Sequence, residues 1–240
     1  MRPVVAILLV GLLFWRVAHA ERIVAVYIGI SHTFASDLRV RQPASGSDAT
    51  FESVSWAPHP LTQGAPYYGL RFSYFPARAP HTGAAVDFTH YKMYAETAHI
   101  VRVRGTWNGV HVDDLSQLSA RLQHLEVSHG VNLTSINAQF RWSPALAKGI
   151  WARHIGAGLL VYSPHAEGAV GNTAVSGGYR YGGFGGQVFG GAEYGLSSRF
   201  GLLIEGKFDI GRLELDLEPR TRIETSVRTL HLIGGVGFHF

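Results

Sequence analysis

Residues 230–240 alternate between one apolar face and one mixed face. Strand side chains point to opposite faces with a period of two, so this segment predicts a strand. Its apolar face runs to an aromatic residue at Phe240, where the end of a soluble protein is usually polar. An aromatic girdle beside an apolar outer band is typical of a transmembrane β-barrel. The apolar face consists of Leu230, Leu232, Gly234, Val236, Phe238 and Phe240.

Similar alternation recurs upstream and predicts an all-β fold, one eight-stranded antiparallel transmembrane β-barrel. Long and short connections alternate, as in outer-membrane barrels with long extracellular loops and short periplasmic turns. Because the strand number is even, we expect both termini in the periplasm. The predicted strands cover 23–32, 67–75, 84–94, 131–142, 151–163, 184–196, 200–214 and 230–240. Polar or glycine-rich segments at 36–50, 96–125, 164–181 and 215–222 predict loops.

The seventh predicted strand separates its two faces most clearly. Leu202 and Ile204 belong to the face that would meet lipid, whereas Glu205, Lys207 and Asp209 would point inward. Side chains fill the interior of an eight-stranded barrel, so these charges should pair with one another. We interpret them as a structural polar plug, with a proton pathway or catalytic core as the alternative. Further inward candidates are Asn137, Gln139, Arg141 and Glu193.

The N-terminal segment has the layout of a secretory signal peptide. Arg2 precedes an apolar run at 4–15, and Ala18-His19-Ala20 forms a small-residue cleavage site. The run is short for a membrane-spanning helix, although an uncleaved anchor is the alternative. We therefore expect residues 1–20 to be removed and residues 21–240 to form the barrel in a bacterial outer membrane.

The amino-acid composition restricts the classes of binding partner and the kinds of site that the chain can have. Without residues 1–20 the chain keeps 19 basic and 17 acidic residues, so its charge gives no reason to expect nucleic-acid binding. The absence of Cys excludes disulfides and thiolate metal sites. Mean hydropathy is near zero, because inward polar residues dilute the lipid-facing ones in a barrel. A barrel of this size is expected to be a monomer embedded in outer-membrane lipid.

Histidine and acidic residues gather near the strand ends that the topology places on the extracellular side. Imidazole and carboxylate groups can hold a divalent metal or act as base and acid. No defined metal-ligand spacing is present, so a hydrated rim without a ligand is the alternative. Strict alternation places His90 and Lys92 on the lipid side, which requires a bulge or a position at headgroup level. The candidates are His90, Lys92, Glu126, His129, His165 and Glu167.

Two segments have specific residue patterns, Asp-Phe-Thr-His-x-Lys at 87–92 and Leu-Glu-x-x-x-Gly-x-Asn at 125–132. Both resemble segments of the lipid A oxidases of outer membranes. Segments 66–71, 136–138, 164–167 and 200–208 extend the likeness over most of the chain, in the same order. One departure is His129, where an acidic residue is expected. That departure leaves a degenerate, inactive relative as an alternative.

The resemblance implies an enzyme that uses molecular oxygen to oxidise the proximal glucosamine of lipid A to 2-aminogluconate. Lipid A or lipopolysaccharide in the outer leaflet would be its partner, with a divalent metal as a further cofactor. On this likeness, His90, Glu126, His165 and Glu167 are the catalytic candidates, and Lys92 and His129 the substrate-binding ones. His90, His165 and Glu167 are the metal-ligand candidates. A non-catalytic barrel that stabilises the envelope or displays loops is the main alternative, and a small pore is a further one.

Overall fold

The computed structural model describes residues 20–58, 66–127 and 129–240. The predicted signal peptide lies outside these residues except for Ala20. Within the described part of the chain, no helix is long and apolar enough to cross a membrane.

The described residues form seventeen strands and two short 3-10 turns. In chain order the strands are β1 (Glu21–Thr33), β2 (Ser36–Gln42), β3 (Ser47–Val54), β4 (Trp56–Pro58), β5 (Tyr68–Phe75), β6 (Thr82–His90), β7 (Met93–Ala95), β8 (Ile100–Trp107), β9 (Val110–Gln117), β10 (Leu122–Val127), β11 (Leu133–Arg141), β12 (Trp151–Tyr162), β13 (Ala166–Val170), β14 (Thr173–Gly177), β15 (Phe184–Gly195), β16 (Phe200–Leu217) and β17 (Thr221–His239). The 3-10 turns are Pro43–Ser45 and Leu118–Ala120.

Eight of these strands close into an antiparallel barrel, which confirms the predicted fold. Their order around the cylinder is β1, β5, β6, β11, β12, β15, β16 and β17. Closure comes from β1 pairing with β17, from Ile23 opposite His239 to Thr33 opposite Thr229. Short turns join the barrel strands at one end of the cylinder, which we call the turn end. Long connections leave the strands at the opposite end.

The outer wall of the barrel is apolar. Leu232 is 52% exposed, and its neighbours along the apolar face of β17 are exposed with it. The alternation predicted for 230–240 is therefore confirmed. A contiguous exposed apolar belt is not a surface that a water-soluble monomer presents, but it suits contact with hydrocarbon. The belt includes Val26, Ile28, Ile30, Leu70, Val86, Ile136, Ile155, Leu159, Val161, Val188, Leu202, Ile204, Ile210, Leu230, Leu232 and Val236.

The barrel interior is a saturated ionic network. The guanidinium of Arg71 donates to both Glu205 carboxylate oxygens at 2.6 Å and to Asp87 at 2.9 Å. The Lys207 ammonium donates to Asp87 at 2.6 Å and to the Tyr27 hydroxyl at 2.8 Å. Two buried cations thus balance two buried anions, as burial of charge requires. The predicted inward position of Glu205 and Lys207 is confirmed, but their partners are Arg71 and Asp87 on β5 and β6 and not one another. The paired network favours a structural plug over a proton pathway.

Two further buried clusters occupy the ends of the interior. Near the long connections, Asp209 accepts from Tyr162 at 3.1 Å and is paired with His231. At the turn end, the His239 imidazole bridges Glu21 at 2.7 Å and Glu193 at 3.0 Å. A cavity of about 50 Å³ remains at the turn end, which has room for water molecules but not for a sugar.

The long connections fold into a cap over the barrel, made of β2–β4, β7–β10, β13, β14 and the upper ends of β16 and β17. One half of the cap extends the barrel sheet, because β2, β3, β8 and β9 follow β17 in the strand order. The other half is a separate sheet in the order β14, β13, β10, β7, β4. Both halves contribute to one buried core, which includes Leu38, Phe51, Val103, Leu125, Val127, Val170, Leu215 and Ile223.

The prediction that segments 36–50, 96–125, 164–181 and 215–222 are loops is therefore wrong for most of their length. The segment 36–50 contains β2 and the start of β3, and 96–125 contains β8, β9 and most of β10. Segment 164–181 contains β13 and β14, and β16 and β17 enclose only 218–220. Polar residues on the outer cap face obscured the alternation, since charges pair across strands there. Arg39 with Asp48 and Arg102 with Asp113 are such pairs, each at 2.8 Å.

Replacing Leu232 with Arg should destabilise the folded protein by about 2–4 kcal/mol, because the new charge would enter hydrocarbon near the midplane. The matched control is Leu115→Arg on β9 of the cap, where Leu115 is 73% exposed to water. Urea unfolding in lipid bilayers measures both variants. Equal stability of the two variants would contradict a lipid-facing belt.

Replacing Asp87 with Ala should lower the free energy of unfolding by about 3–5 kcal/mol, because Lys207 and Arg71 lose a buried counter-charge. Asp216→Ala, which removes an exposed aspartate of the cap, should change the free energy of unfolding by no more than about 0.5 kcal/mol. Denaturant midpoints in detergent, together with heat-modifiable gel migration, test this pair. An Asp87→Ala midpoint equal to that of Asp216→Ala would refute the plug.

Candidate functional site

Three connections meet above the barrel wall where β6, β11 and β12 end. The amide of Val131 donates to the carbonyl of Tyr91 at 2.8 Å, which joins the chain leaving β6 to the chain entering β11. Ser163 donates to Asn132 at 2.9 Å, and His165 donates to Gly130 at 3.2 Å. These backbone bonds bring together residues that are distant in the sequence and make a fixed rim site.

The centre of the rim site is formed by His129, His165 and Glu167. The two imidazole rings stack with centroids 4.3 Å apart. A carboxylate oxygen of Glu167 lies 3.5 Å from Nε2 of His165 and 3.8 Å from Nδ1 of His129. One ligand atom from each of the three residues lies within 4.8 Å of the others. The structure thus places His129 beside the predicted ligands His165 and Glu167.

His90 lies below this centre on the outer face of the barrel. No bulge turns it inward, because β6 keeps its register from Thr82 to Thr89 against β11. Its ring stacks on Tyr68 at 4.6 Å, and its Nδ1 lies 2.8 Å from Oδ1 of Asn132. Loop residues cover it, so it is buried by protein at only 5% exposure rather than facing lipid.

Gly130 allows the loop to cover His90. It has φ of +107°, which L side chains rarely adopt, and a Cβ there would collide with the His90 ring. The glycine in the Leu-Glu-x-x-x-Gly-x-Asn segment is therefore required by close approach of the loop to His90.

Glu126 lies directly across the cap sheet from Glu167. The register pairs Glu126 with Tyr94 on one side and with Glu167 on the other. Burial and the nearby Glu126 carboxylate raise the pKa of the Tyr94 phenol. Glu126 also lies 3.2 Å from the exposed His124. The rim site therefore carries two adjacent carboxylates, of which Glu167 lies beside both imidazoles.

Lys92 is half-buried near His90. Lys92 and His129 both act electrostatically on the His90 ring, which places all three in one neighbourhood. The six residues selected from the sequence are thus gathered at one rim. His129, His165 and Glu167 are in mutual contact, whereas His90, Lys92 and Glu126 surround them.

Tyr179 is a member of the rim site that sequence reasoning missed. Its hydroxyl donates to the carbonyl of His129 at 2.8 Å, and its ring meets His165 edge-on at 5.0 Å. It is 58% exposed, so one side of the ring is open. The available signal was an aromatic residue next to glycine in a loop, and it is a weak one.

The donor set at the centre suits a divalent metal of the first transition row. Two imidazoles and one carboxylate are common ligands for such ions. Nδ1 of His165 is enclosed and has no hydrogen-bond partner, which is unusual for a buried polar atom. The chemistry and spacing of these residues therefore fit a metal ion with open positions for a substrate.

The rim site lies just above the apolar belt. His165 follows the exposed Val161 by four residues along the chain leaving β12. Because β12 ends at Tyr162, His165 lies past the last belt residue of this strand, on the side of the cap. In a bilayer a position just beyond the apolar belt corresponds to the headgroup region.

Comparisons with solved structures agree with the fold. The chain is similar to the outer membrane protein OprG from Pseudomonas aeruginosa, with 11% identity, 92% of this chain and 96% of that chain covered, and a TM-score of 0.56. The chain has the fold of a small outer-membrane β-barrel protein.

Weaker likenesses include the outer membrane protein AlkL, solved in lipid bilayers, and Neisserial surface protein A. AlkL shows 10% identity over 94% of this chain and 93% of that chain, with a TM-score of 0.47. Neisserial surface protein A shows 13% identity over 92% and 96%, with a TM-score of 0.41. No protein-family model matches this chain, and no curated protein sequence does. The predicted likeness to lipid A oxidases therefore stays a prediction.

The purified protein should bind Zn²⁺ at neutral pH, and His165→Ala should weaken that binding strongly. Removing a metal ligand should lower the Zn²⁺ affinity by more than the roughly 10- to 100-fold that is lost with an outer-shell partner. Acidification should weaken binding as well, because protons compete for the imidazole nitrogens. Isothermal titration of Zn²⁺ into the detergent-solubilised protein measures this, with His111→Ala on β9 as the matched control. Equal affinity in both variants would argue against the His129, His165 and Glu167 site.

Proposed function

We propose that this chain is a bacterial outer-membrane protein that oxidises the proximal glucosamine of lipid A to 2-aminogluconate with molecular oxygen. One observation carries the proposal. The segments 87–92, 125–132 and 164–167, which resemble lipid A oxidases, meet in one rim site. Convergence of separate motif segments is expected of an active site and is not needed for a barrel wall.

The height and composition of the rim site suit this substrate. Lipid A keeps its acyl chains in hydrocarbon and its sugars at headgroup level, so its glucosamine would lie beside residues just above the belt. Tyr179 offers an exposed aromatic ring on which a sugar can pack. Lys92 is our candidate contact for a lipid A phosphate or for the carboxylate of the product.

The proposed reaction is a two-electron oxidation at C1 of the reducing sugar. Loss of two electrons and two protons converts the hemiacetal to a lactone, and dioxygen accepts them to leave as hydrogen peroxide. Water then opens the lactone to 2-aminogluconate, so the lipid gains one oxygen atom. When bound at the rim, a divalent metal supplies Lewis acidity at a substrate oxygen.

The residues of the chain would divide the remaining tasks. Since Glu167 lies beside both imidazoles as a proposed metal ligand, Glu126 is the carboxylate left to accept the proton of the C1 hydroxyl. His90 is held by Asn132 and by the Tyr68 ring, so its proposed role is to support the loop at 129–132. His129 would act as a metal ligand in place of the substrate contact expected from the sequence.

A non-catalytic barrel that stabilises the envelope is the second candidate function. It is favoured by the saturated interior, which leaves the ions of the central plug no charge free for a substrate. The fold comparisons are compatible with it as well, since they support the barrel and no reaction. Under this alternative, the rim histidines would be hydrated and without a ligand.

Incubating the protein in air with a divalent metal and lipid A whose proximal glucosamine has a free C1 hydroxyl should add one oxygen atom to the lipid, as seen by mass spectrometry. His165→Ala and Glu126→Gln should abolish the product, because each removes a proposed ligand or base. His111→Ala on β9 should retain full activity, because it lies outside the rim site. Absence of a mass shift with Mn²⁺, Fe²⁺, Co²⁺ and Zn²⁺ in turn would favour the non-catalytic barrel.

A further inference from the structure

A polar cleft, which we call the arginine cleft, lies at the tip of the β16–β17 hairpin, where these two strands are joined in the cap. It is an open surface cleft of about 310 Å³. Pockets of about this size hold small molecules, at the lower end of the usual range. Four arginines line it, namely Arg41, Arg180, Arg220 and Arg222, against the two carboxylates of Asp216 and Glu218. The walls of the cleft therefore carry an excess of positive charge.

Two of these arginines are already paired within the protein. Arg222 lies 3.0 Å from Glu224 and is paired with Glu214 as well. Arg41 lies 3.6 Å from Glu224, but its Nε is enclosed and has no hydrogen-bond partner. Burial opposes ionisation of Glu224, yet the hydrogen bond from Arg212 and the nearby arginines lower its pKa. Arg41, Arg222 and Glu224 thus form an internally paired charged layer beside the cleft.

The other two arginines are free. Among the described residues, neither Arg180 nor Arg220 has a side-chain hydrogen bond, an ion pair or a ring contact, and both are exposed. They come from different connections, one from the loop before β15 and one from the hairpin turn. Both residues line the same cleft. Because neither guanidinium has a partner among the described residues, their donors are available to a ligand.

We propose that this cleft binds a saccharide through an anionic substituent, a phosphate or a carboxylate. Guanidinium groups match both substituents in a two-pronged geometry, and two unpaired guanidinium groups that line one cleft can hold one anion. The volume exceeds the needs of a bare ion and fits a single sugar ring with its charged group. The cleft opens on the cap, above the belt, where saccharide would surround the protein in an outer leaflet.

The cleft is separate from the rim site but on the same sheet. Glu167 pairs with Ser176 across β13 and β14, and Ser176 forms a bridge with Glu218 at the hairpin tip. Two strand spacings of about 4.8 Å separate Glu167 from Glu218, roughly 10 Å in all. One glycolipid could span both places, but binding in the cleft does not depend on any reaction at the rim.

Isothermal titration of the full-length protein in detergent at low salt tests the proposal. The probes are glucose 6-phosphate, glucuronate, inorganic phosphate and uncharged glucose. Arg180→Gln with Arg220→Gln forms the test variant. The matched control is Arg78→Gln with Arg199→Gln, which removes two exposed arginines at the turn end. Heat-modifiable gel migration verifies that both variants are folded.

The wild type should bind glucose 6-phosphate or glucuronate in the millimolar range or tighter and should not bind glucose. The test variant should weaken that affinity by at least about tenfold, since two charge-assisted contacts are lost. The control variant should bind as the wild type does, and added salt should weaken binding. Which of the two charged sugars binds more tightly identifies the phosphate or the carboxylate as the recognised group.

Three results would overturn the proposal. The first is no binding of either charged sugar by the folded wild type. The second is an equal loss of affinity in the test and control variants, which would indicate non-specific attraction. The third is inorganic phosphate binding as tightly as glucose 6-phosphate, which would leave no role for the sugar ring.

Discussion

Closure of the barrel through β1 and β17 is the constraint on which the rest of the structure depends. In hydrocarbon every backbone N–H and C=O needs a partner, and only a closed sheet supplies one to each strand. The continuous register from Ile23 and His239 to Thr33 and Thr229 meets that requirement. Closing only eight strands leaves an interior that side chains must fill, so polar residues on the inner face have to neutralise one another. The contacts of Arg71 with Asp87 and Glu205 are the result.

The β16–β17 hairpin, which completes the barrel, also begins the cap. β17 has 19 residues, roughly 60 Å of extended chain, whereas hydrocarbon is about 30 Å thick. Its lower part pairs with β1, and its upper part pairs with β2 from Arg222 to Thr225. A rigid strand thus carries the barrel sheet above the membrane, where the connections can pair onto it and bury their own core.

Both candidate sites lie where the cap meets this frame. The rim site is at the base of the cap, where backbone bonds tie three connections to strand ends. The arginine cleft is at the top, beside the turn between β16 and β17. Sites built on loops are precise only when the loops are held, and here sheet pairing and a buried core hold them. Such a cap can hold side chains in fixed positions above the membrane, while the barrel beneath it provides the anchor.

The sequence alone was sufficient to predict the barrel, because a side-chain period of two along Leu230, Leu232 and Val236 reports directly which residues lie outside. It also indicated six residues of the rim, since strand topology places alternate strand ends together. The cap strands were not predicted, because Arg39 and Asp48 look like loop residues until their pairing across β2 and β3 is known. The contact of His129 with His165 and Glu167, and the cover of His90 by Gly130, became visible only in the folded chain. Contacts between separate loops depend on how the chain returns over the barrel, and no local pattern encodes that path.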